Sequence, residues 1–134
     1  MYSVTKKLTF CYGHRLLNYD GKCRHLHGHN GLLELVLAKP ELDELGMVMD
    51  FVDIKSAVKK WIDDELDHKM ILNEQDPLAA ELKKHQQPCV LLPGNPTAEA
   101  IARHIFEHCR AVKLPVKRVR LWETPDSCAE YGTD

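Results

Sequence analysis

Two stretches of this chain, 3–10 and 29–38, carry the two-residue period of β-strands, and nothing helical stands between them. In the first, Val4, Leu8 and Phe10 alternate with Thr5, Lys7 and Thr9, Lys6 alone being out of step. In the second, Gly31, Leu33, Leu35 and Leu37 share one face, and Leu32, Glu34 and Val36 the other. Only a loop through Asn18, Asp20 and Gly21 joins them, so the connection is hairpin-like and not a helical crossover. After the turn-like KPELDELG, a short third strand is expected at 47–49. Behind Asp50, a good N-cap, residues Phe51, Ile54, Val58, Trp61, Ile62 and Leu66 recur at helical spacing and predict a helix over 51–66. The stretch 73–95 is broken by Pro77, Pro88, Pro93 and Gly94, and only AAELKKH can hold a short helix there. NPTAEAIARHIFEHC opens a second long helix, capped by Asn95 or Thr97, with Ile101, Ile105, Phe106 and Cys109 as its buried stripe. A last strand, 116–124, sets Val119, Leu121 and Glu123 against Arg118, Arg120 and Trp122. Four strands not interleaved with helices, and two long helices, predict an α+β domain with a mostly antiparallel sheet covered by helices on one face. At 134 residues, one domain spanning 1–134 is the expectation.

Charge and cysteine usage exclude several partners. A formal charge of −2, from 18 basic and 20 acidic residues well mixed, leaves no footprint for nucleic acid or an anionic membrane surface. No apolar run approaches the roughly 20 residues that span a bilayer, and MYSVTKKLTF lacks the apolar stretch of a secretory signal, so a cytoplasmic location is expected. Five cysteines without a Cys-x-x-Cys pair point to reduced thiols, neither a disulfide framework nor a zinc ribbon.

The segment GKCRHLHGHNG, 21–31, concentrates the chemistry. On extended backbone His27 and His29 project from one face and can share an ion. Neutral imidazole is a preferred zinc ligand, and a catalytic zinc has three protein ligands and one open position. His25 has the right parity, but three consecutive same-face positions of one strand lie nearly in line and poorly supply three corners of a tetrahedron. A ligand from another strand serves better, and His14, just past the first strand, is the candidate. The same pattern also describes a solvated face of an edge strand. The neighbouring glycines, which allow close backbone approach, and Cys23, a candidate reactive thiol, favour the metal.

Glu123 falls on the face of the last strand shared by Val119 and Leu121, where an inward carboxylate is costly unless paired. It either leaves the core at the strand end or accepts two N–H groups from a ligand with a guanidine-like edge. Asp67 and His68, at the end of the first helix, either cap it or form a pair in which the carboxylate orients the imidazole for proton transfer.

His14, Cys23, His27-Gly28-His29, Asp67-His68, Pro96-Thr97-x-Glu99 and Glu123-Thr124, in this order, resemble the family of pyruvoyl-tetrahydropterin and carboxytetrahydropterin synthases over nearly the whole chain. The resemblance implies the tunnelling fold (T-fold): a four-stranded antiparallel sheet with two helices on one face, assembling into a barrel, commonly a homohexamer made of two trimers. It implies that His14, His27 and His29 bind a catalytic zinc that acts as a Lewis acid on the substrate's hydroxyls. Cys23 is then the general base, Asp67 and His68 a proton relay contributed across a subunit interface, and Glu123, assisted by Thr97, the anchor for a pterin's aminopyrimidinone edge. The implied substrate is 7,8-dihydroneopterin triphosphate. One branch eliminates triphosphate to give 6-pyruvoyltetrahydropterin. The other also loses acetaldehyde and gives 6-carboxy-5,6,7,8-tetrahydropterin, a step toward queuosine. The spacing Cys23-x3-His27-x-His29 resembles the shorter form of the carboxy branch. Departures from the family's usual pattern are Tyr12 before His14, Asn30-Gly31 after His29, and a longer segment 74–95.

Two readings from other classes stand beside this one. In a structural zinc module the metal would hold a loop without turnover, and Cys23 as a fourth ligand would mark it, since structural sites are closed by four ligands. A hydrolase would need a base and a polarised carbonyl or phosphoryl group, for which only Asp67, His68 and Glu123 are at hand.

Overall fold

A computed structural model describes residues 1–134. In chain order the elements are β1 (Tyr2–His14), β2 (His27–Lys39), α1 (Phe51–Glu65), β3 (Lys69–Asn73), α2 (Leu78–Lys84), β4 (Cys89–Leu92), α3 (Ala98–Ala111), β5 (Val116–Thr124) and β6 (Ser127–Gly132), with one 3-10 turn at Lys22–Arg24. They build one sheet of order β4-β3-β1-β2-β5-β6. β1, β2, β5 and β6 each run antiparallel to their neighbour in this set, and β3 and β4 add a parallel wing beside β1.

The antiparallel set of four is thus present, but its fourth member is β6 and not 47–49. Residues 47–49 run as a loop, because the Asp43 carboxylate takes the N–H groups of Leu45 and Met47, each at 2.9 Å, and a backbone N–H so engaged is withdrawn from any ladder. On the side away from β2, β1 pairs only with β3, and only at Tyr12–His14. Val48 of this loop instead plugs the core.

Both long helices begin where a side chain satisfies their first free N–H groups. Asp50 accepts from Val52 at 2.8 Å, and Thr97 accepts from Ala100 at 3.1 Å, so Thr97 and not Asn95 is the cap of α3. α1 buries Ile54, Val58 and Ile62, followed by Leu66, whereas Phe51 stays half exposed at its first turn. α3 buries Ile101, Ala102, Ile105, Phe106 and Cys109. These faces close over Leu8, Phe10 and Tyr12 of β1, Leu33, Leu35 and Leu37 of β2, and Val119 and Leu121 of β5 in one continuous core. Burying each such large apolar side chain contributes about 1.5–3 kcal/mol before chain entropy is counted.

The other face of the sheet is polar. Lys7, Glu34, Arg120 and Glu130 stand directly opposite one another across four strands with alternating sign, at 3.7, 3.4 and 2.8 Å. Such cross-strand pairs favour this register over its neighbours. All five cysteines are free, and no helix is long and apolar enough to cross a membrane.

Candidate metal centre

The register of β1 against β2 assembles the centre. His14 lies directly opposite His27, and Tyr12 opposite His29, so the three imidazoles share the helix-covered face at the end of the sheet. Their donor nitrogens all lie within 4.8 Å of one another, with ring centroids 4.5 to 5.2 Å apart. Carbonyls fix two of the tautomers. His14 Nδ1–H donates to the Pro96 carbonyl and His27 Nδ1–H to the His25 carbonyl, both at 2.7 Å, which leaves Nε2 of each as the free lone pair.

Nε2 of His14 and Nε2 of His29 are buried without a hydrogen-bond partner. A sheet end that leaves two buried nitrogens unsatisfied beside a third imidazole fits a divalent metal, because three neutral imidazoles with no fourth protein donor among them make an open site. Burial holds the His14 imidazole below the usual histidine range and the neighbouring imidazoles push it the same way, against opposite pulls from the Pro96 carbonyl and Glu123. The neutral form so favoured is the one that ligates.

Glu123, at the end of β5, lies at the rim. Its carboxylate oxygens are 3.8 Å from His14 Nε2 and 3.6 Å from His29 Nε2, and one of them accepts the Tyr12 O–H at 3.3 Å. Tyr12 is 2 % exposed, and burial, reinforced by Glu123, drives its phenol far above the ordinary tyrosine range, so it acts only as a donor. Gly31 makes room for it: a Cβ there would lie 3.0 Å from the Tyr12 ring and 3.2 Å from Leu121.

The sequence-predicted residues divide into three groups. His14, His27, His29 and Glu123 converge. His25 does not join them with its ring: β2 begins only at His27, and His25 serves through its carbonyl. Cys23 lies on the exposed 3-10 turn, is not among the clustered donors, and contributes its carbonyl to Leu16 N–H at 2.8 Å. Asp67 and His68 follow α1. Burial pushes the Asp67 carboxyl up, but the Cys11 N–H and His68, which bond it at 2.8 and 2.7 Å, hold it below the usual range. His68 is held at a positive φ of 60°, its side chain 78 % exposed, and it lines a cleft of about 500 Å³ with His27, Gly28 and Cys11. On the other side of β2, a cleft of about 720 Å³ is lined by His29, Glu123, Asn30 and Trp122. Thr97 caps α3 next to the Pro96 carbonyl that orients His14. Sequence reasoning gave no site role to Tyr12, Gly31 or the Pro96 carbonyl, and read Asn95 only as a possible helix cap; only the parity of Tyr12 with His14 in β1 could have signalled the first.

A mostly antiparallel sheet backed by two long helices, ending in an open three-histidine centre with a carboxylate at its rim, defines a T-fold protein with a built metal-type site. The family model described as 6-pyruvoyl tetrahydropterin synthase matches residues 3–134, and the chain belongs to that family. Among curated proteins, 6-carboxy-5,6,7,8-tetrahydropterin synthase of Rickettsia bellii is 37% identical, covering 97% of this chain and 99% of its own. The protein of the same name from Haemophilus influenzae is 38% identical, covering 98% and 99%. Among solved structures, an uncharacterized protein from Wolinella succinogenes superposes with a TM-score of 0.82 at 27% identity over 99% of this chain and 98% of its own. The 6-pyruvoyl tetrahydropterin synthase of Caenorhabditis elegans gives 0.73 at 22% identity over 99% and 96%, a likeness of fold.

Proposed function

We propose that this chain is a zinc-dependent 6-carboxy-5,6,7,8-tetrahydropterin synthase, one pterin-synthase-like domain over 1–134 working as a cytoplasmic homohexamer in queuosine biosynthesis. It would convert 7,8-dihydroneopterin triphosphate and water to 6-carboxytetrahydropterin, acetaldehyde and triphosphate. The observation that carries the chemistry is the pair of buried, unpartnered Nε2 atoms on His14 and His29 beside His27 and Glu123. The choice of product is supported by the names of the full-length relatives from Rickettsia bellii and Haemophilus influenzae.

Zinc held by His14, His27 and His29 would supply Lewis-acid chemistry, lowering the pKa of the substrate's side-chain hydroxyls. Glu123 accepts two N–H groups from the aminopyrimidinone edge, which fixes the pterin's orientation as a bidentate pair does. The Tyr12 O–H holds one carboxylate oxygen during this. Thr97 accepts the Ala100 N–H through Oγ1 and so keeps its own hydroxyl proton for the substrate. Cys23 takes a proton from a side-chain carbon as thiolate. His68 keeps Nδ1–H on Asp67 and exchanges protons at Nε2. Its exposure suits delivery into a neighbouring subunit's site, across the barrel interface.

The test is incubation of zinc-loaded protein with 7,8-dihydroneopterin triphosphate, followed by mass analysis of pterins and an acetaldehyde assay. Carboxypterin with stoichiometric acetaldehyde is expected. A pyruvoyl product without acetaldehyde would move the chain to the triphosphate-eliminating branch named by the family model, and no turnover would favour a structural zinc module. His27→Ala should lose metal, whereas Cys23→Ala and Glu123→Ala should keep metal and fold but lose turnover.

A further inference from the structure

His14 is the one ligand that comes from β1, and the residues after it leave the sheet at once. Free to swing, they would let the imidazole turn away from the pair on β2. The segment 73–95, which crosses from β3 through α2 and β4, grips them at alternate positions. Arg15 makes a forked bond to Asp76, Nε to Oδ2 at 2.7 Å and Nη2 to Oδ1 at 2.5 Å, and Asp76 is only 3 % exposed. Asn95 accepts the Leu17 N–H and donates to the Leu17 carbonyl, both at 2.9 Å, so that a side-chain amide pairs with Leu17 as a neighbouring strand would. Asn73 steadies the same carboxamide oxygen at 3.1 Å. The residue after Asn95 is Pro96, whose carbonyl receives the His14 Nδ1–H.

We propose that Asn95 is the positioning residue of the three-histidine centre. Its carboxamide locks the turn after His14 against the loop between β4 and α3 that presents the Pro96 carbonyl, so that His14 Nε2 is held toward His27 and His29. The excursion 73–95 is then the frame of the centre, through Asn73, Asp76 and Asn95, and not a surface embellishment. Outer partners of metal-binding histidines commonly set affinity by roughly 10- to 100-fold. Here the control passes through one further residue, which fixes ligand and partner together.

The inference rests on the reading of the triad as a metal centre, and its test separates the two. Zn²⁺ affinity is measured by chelator competition, and the visible spectrum of Co²⁺-loaded protein recorded, for the full chain, Asn95→Ala, Asn95→Asp and the core control Ile54→Val. Asn95→Ala should bind Zn²⁺ roughly 10- to 100-fold more weakly with an altered Co²⁺ spectrum. Asn95→Asp keeps the acceptor for Leu17 and Asn73 but loses the donor, and should fall between it and the parent. Ile54→Val should lose thermal stability at parental affinity. Asn95→Ala within twofold of the parent with an unchanged Co²⁺ spectrum would overturn the proposal, as would an equal loss of affinity in Ile54→Val. If Asn95→Ala does not fold, parental affinity and spectrum in Asn95→Asp would overturn it. A parent that takes up neither metal would instead overturn the metal-centre reading, before any variant is compared.

Discussion

Tyr12 shows how one side chain can serve core and site together. Its ring stacks on Phe10 at 5.1 Å, meets His14 edge-on at 5.3 Å and lies tilted against His29 at 5.6 Å, while its hydroxyl emerges at Glu123. Tyr12→Phe keeps the ring and deletes the donor. A hydrogen bond to a carboxylate contributes about 1.5–3 kcal/mol, and at 3.3 Å this one belongs at the lower end, so KM for the pterin substrate should rise about tenfold with Zn²⁺ affinity unchanged. Steady-state kinetics beside chelator competition checks both halves. The ligands themselves were legible because parity along an extended chain is a local property: His27 and His29 had to share a face. The pairing of Tyr12 with Glu123, 111 residues apart, and of His14 with the Pro96 carbonyl, 82 apart, exists only once the sheet is folded.

Where α1 crosses α3, Trp61 lies flat on His108, centroids 3.8 Å apart and planes 4° from parallel, with His104 at 5.7 Å one turn earlier. Burial lowers both imidazoles below the usual histidine range; His104 adds to this for His108, while Glu65 and, for His104, Glu107 pull the other way. The folded state therefore holds fewer protons than the unfolded chain once pH drops below the ordinary value of 6.5. Stability from these groups is complete above that value and is lost as pH falls through it toward the depressed folded values. Thermal midpoints should decline from pH 8 to pH 5, and the decline should be shallower in a His104→Gln/His108→Gln variant than in the parent; an equal slope would place the loss elsewhere, His14 included. The two helices and β1, β2 and β5 could be read in advance because each is long enough to repeat its period several times. β3, β4 and β6 span only five, four and six residues, too few for periodicity to separate a strand from a loop. The stretch 47–49 misled for the same reason, its apolar residues serving as a plug beneath a turn closed by Asp43.

At the scale of the whole molecule, Glu123 and His68 border different clefts on either side of β2. If each working site takes its carboxylate from one chain and its imidazole from the next, Glu123→Ala and His68→Ala proteins, each inactive alone, should recover about a quarter of parental activity when dissociated, mixed in equal amounts and reassembled, the random-pairing value for a closed ring. Recovery near zero would mean that both groups serve the same chain's site. The long hairpin of β1 and β2 adds a consequence of its own. Its pairs run without interruption from Tyr2 opposite Lys39 to His14 opposite His27. Sliding one strand by a single residue would turn His27 and His29 to the face away from His14. An ion captured at the far end of the hairpin would therefore act as a checksum on its alignment: only a chain paired correctly along its full length could close the count of three nitrogens, and misaligned chains would betray themselves by arriving empty.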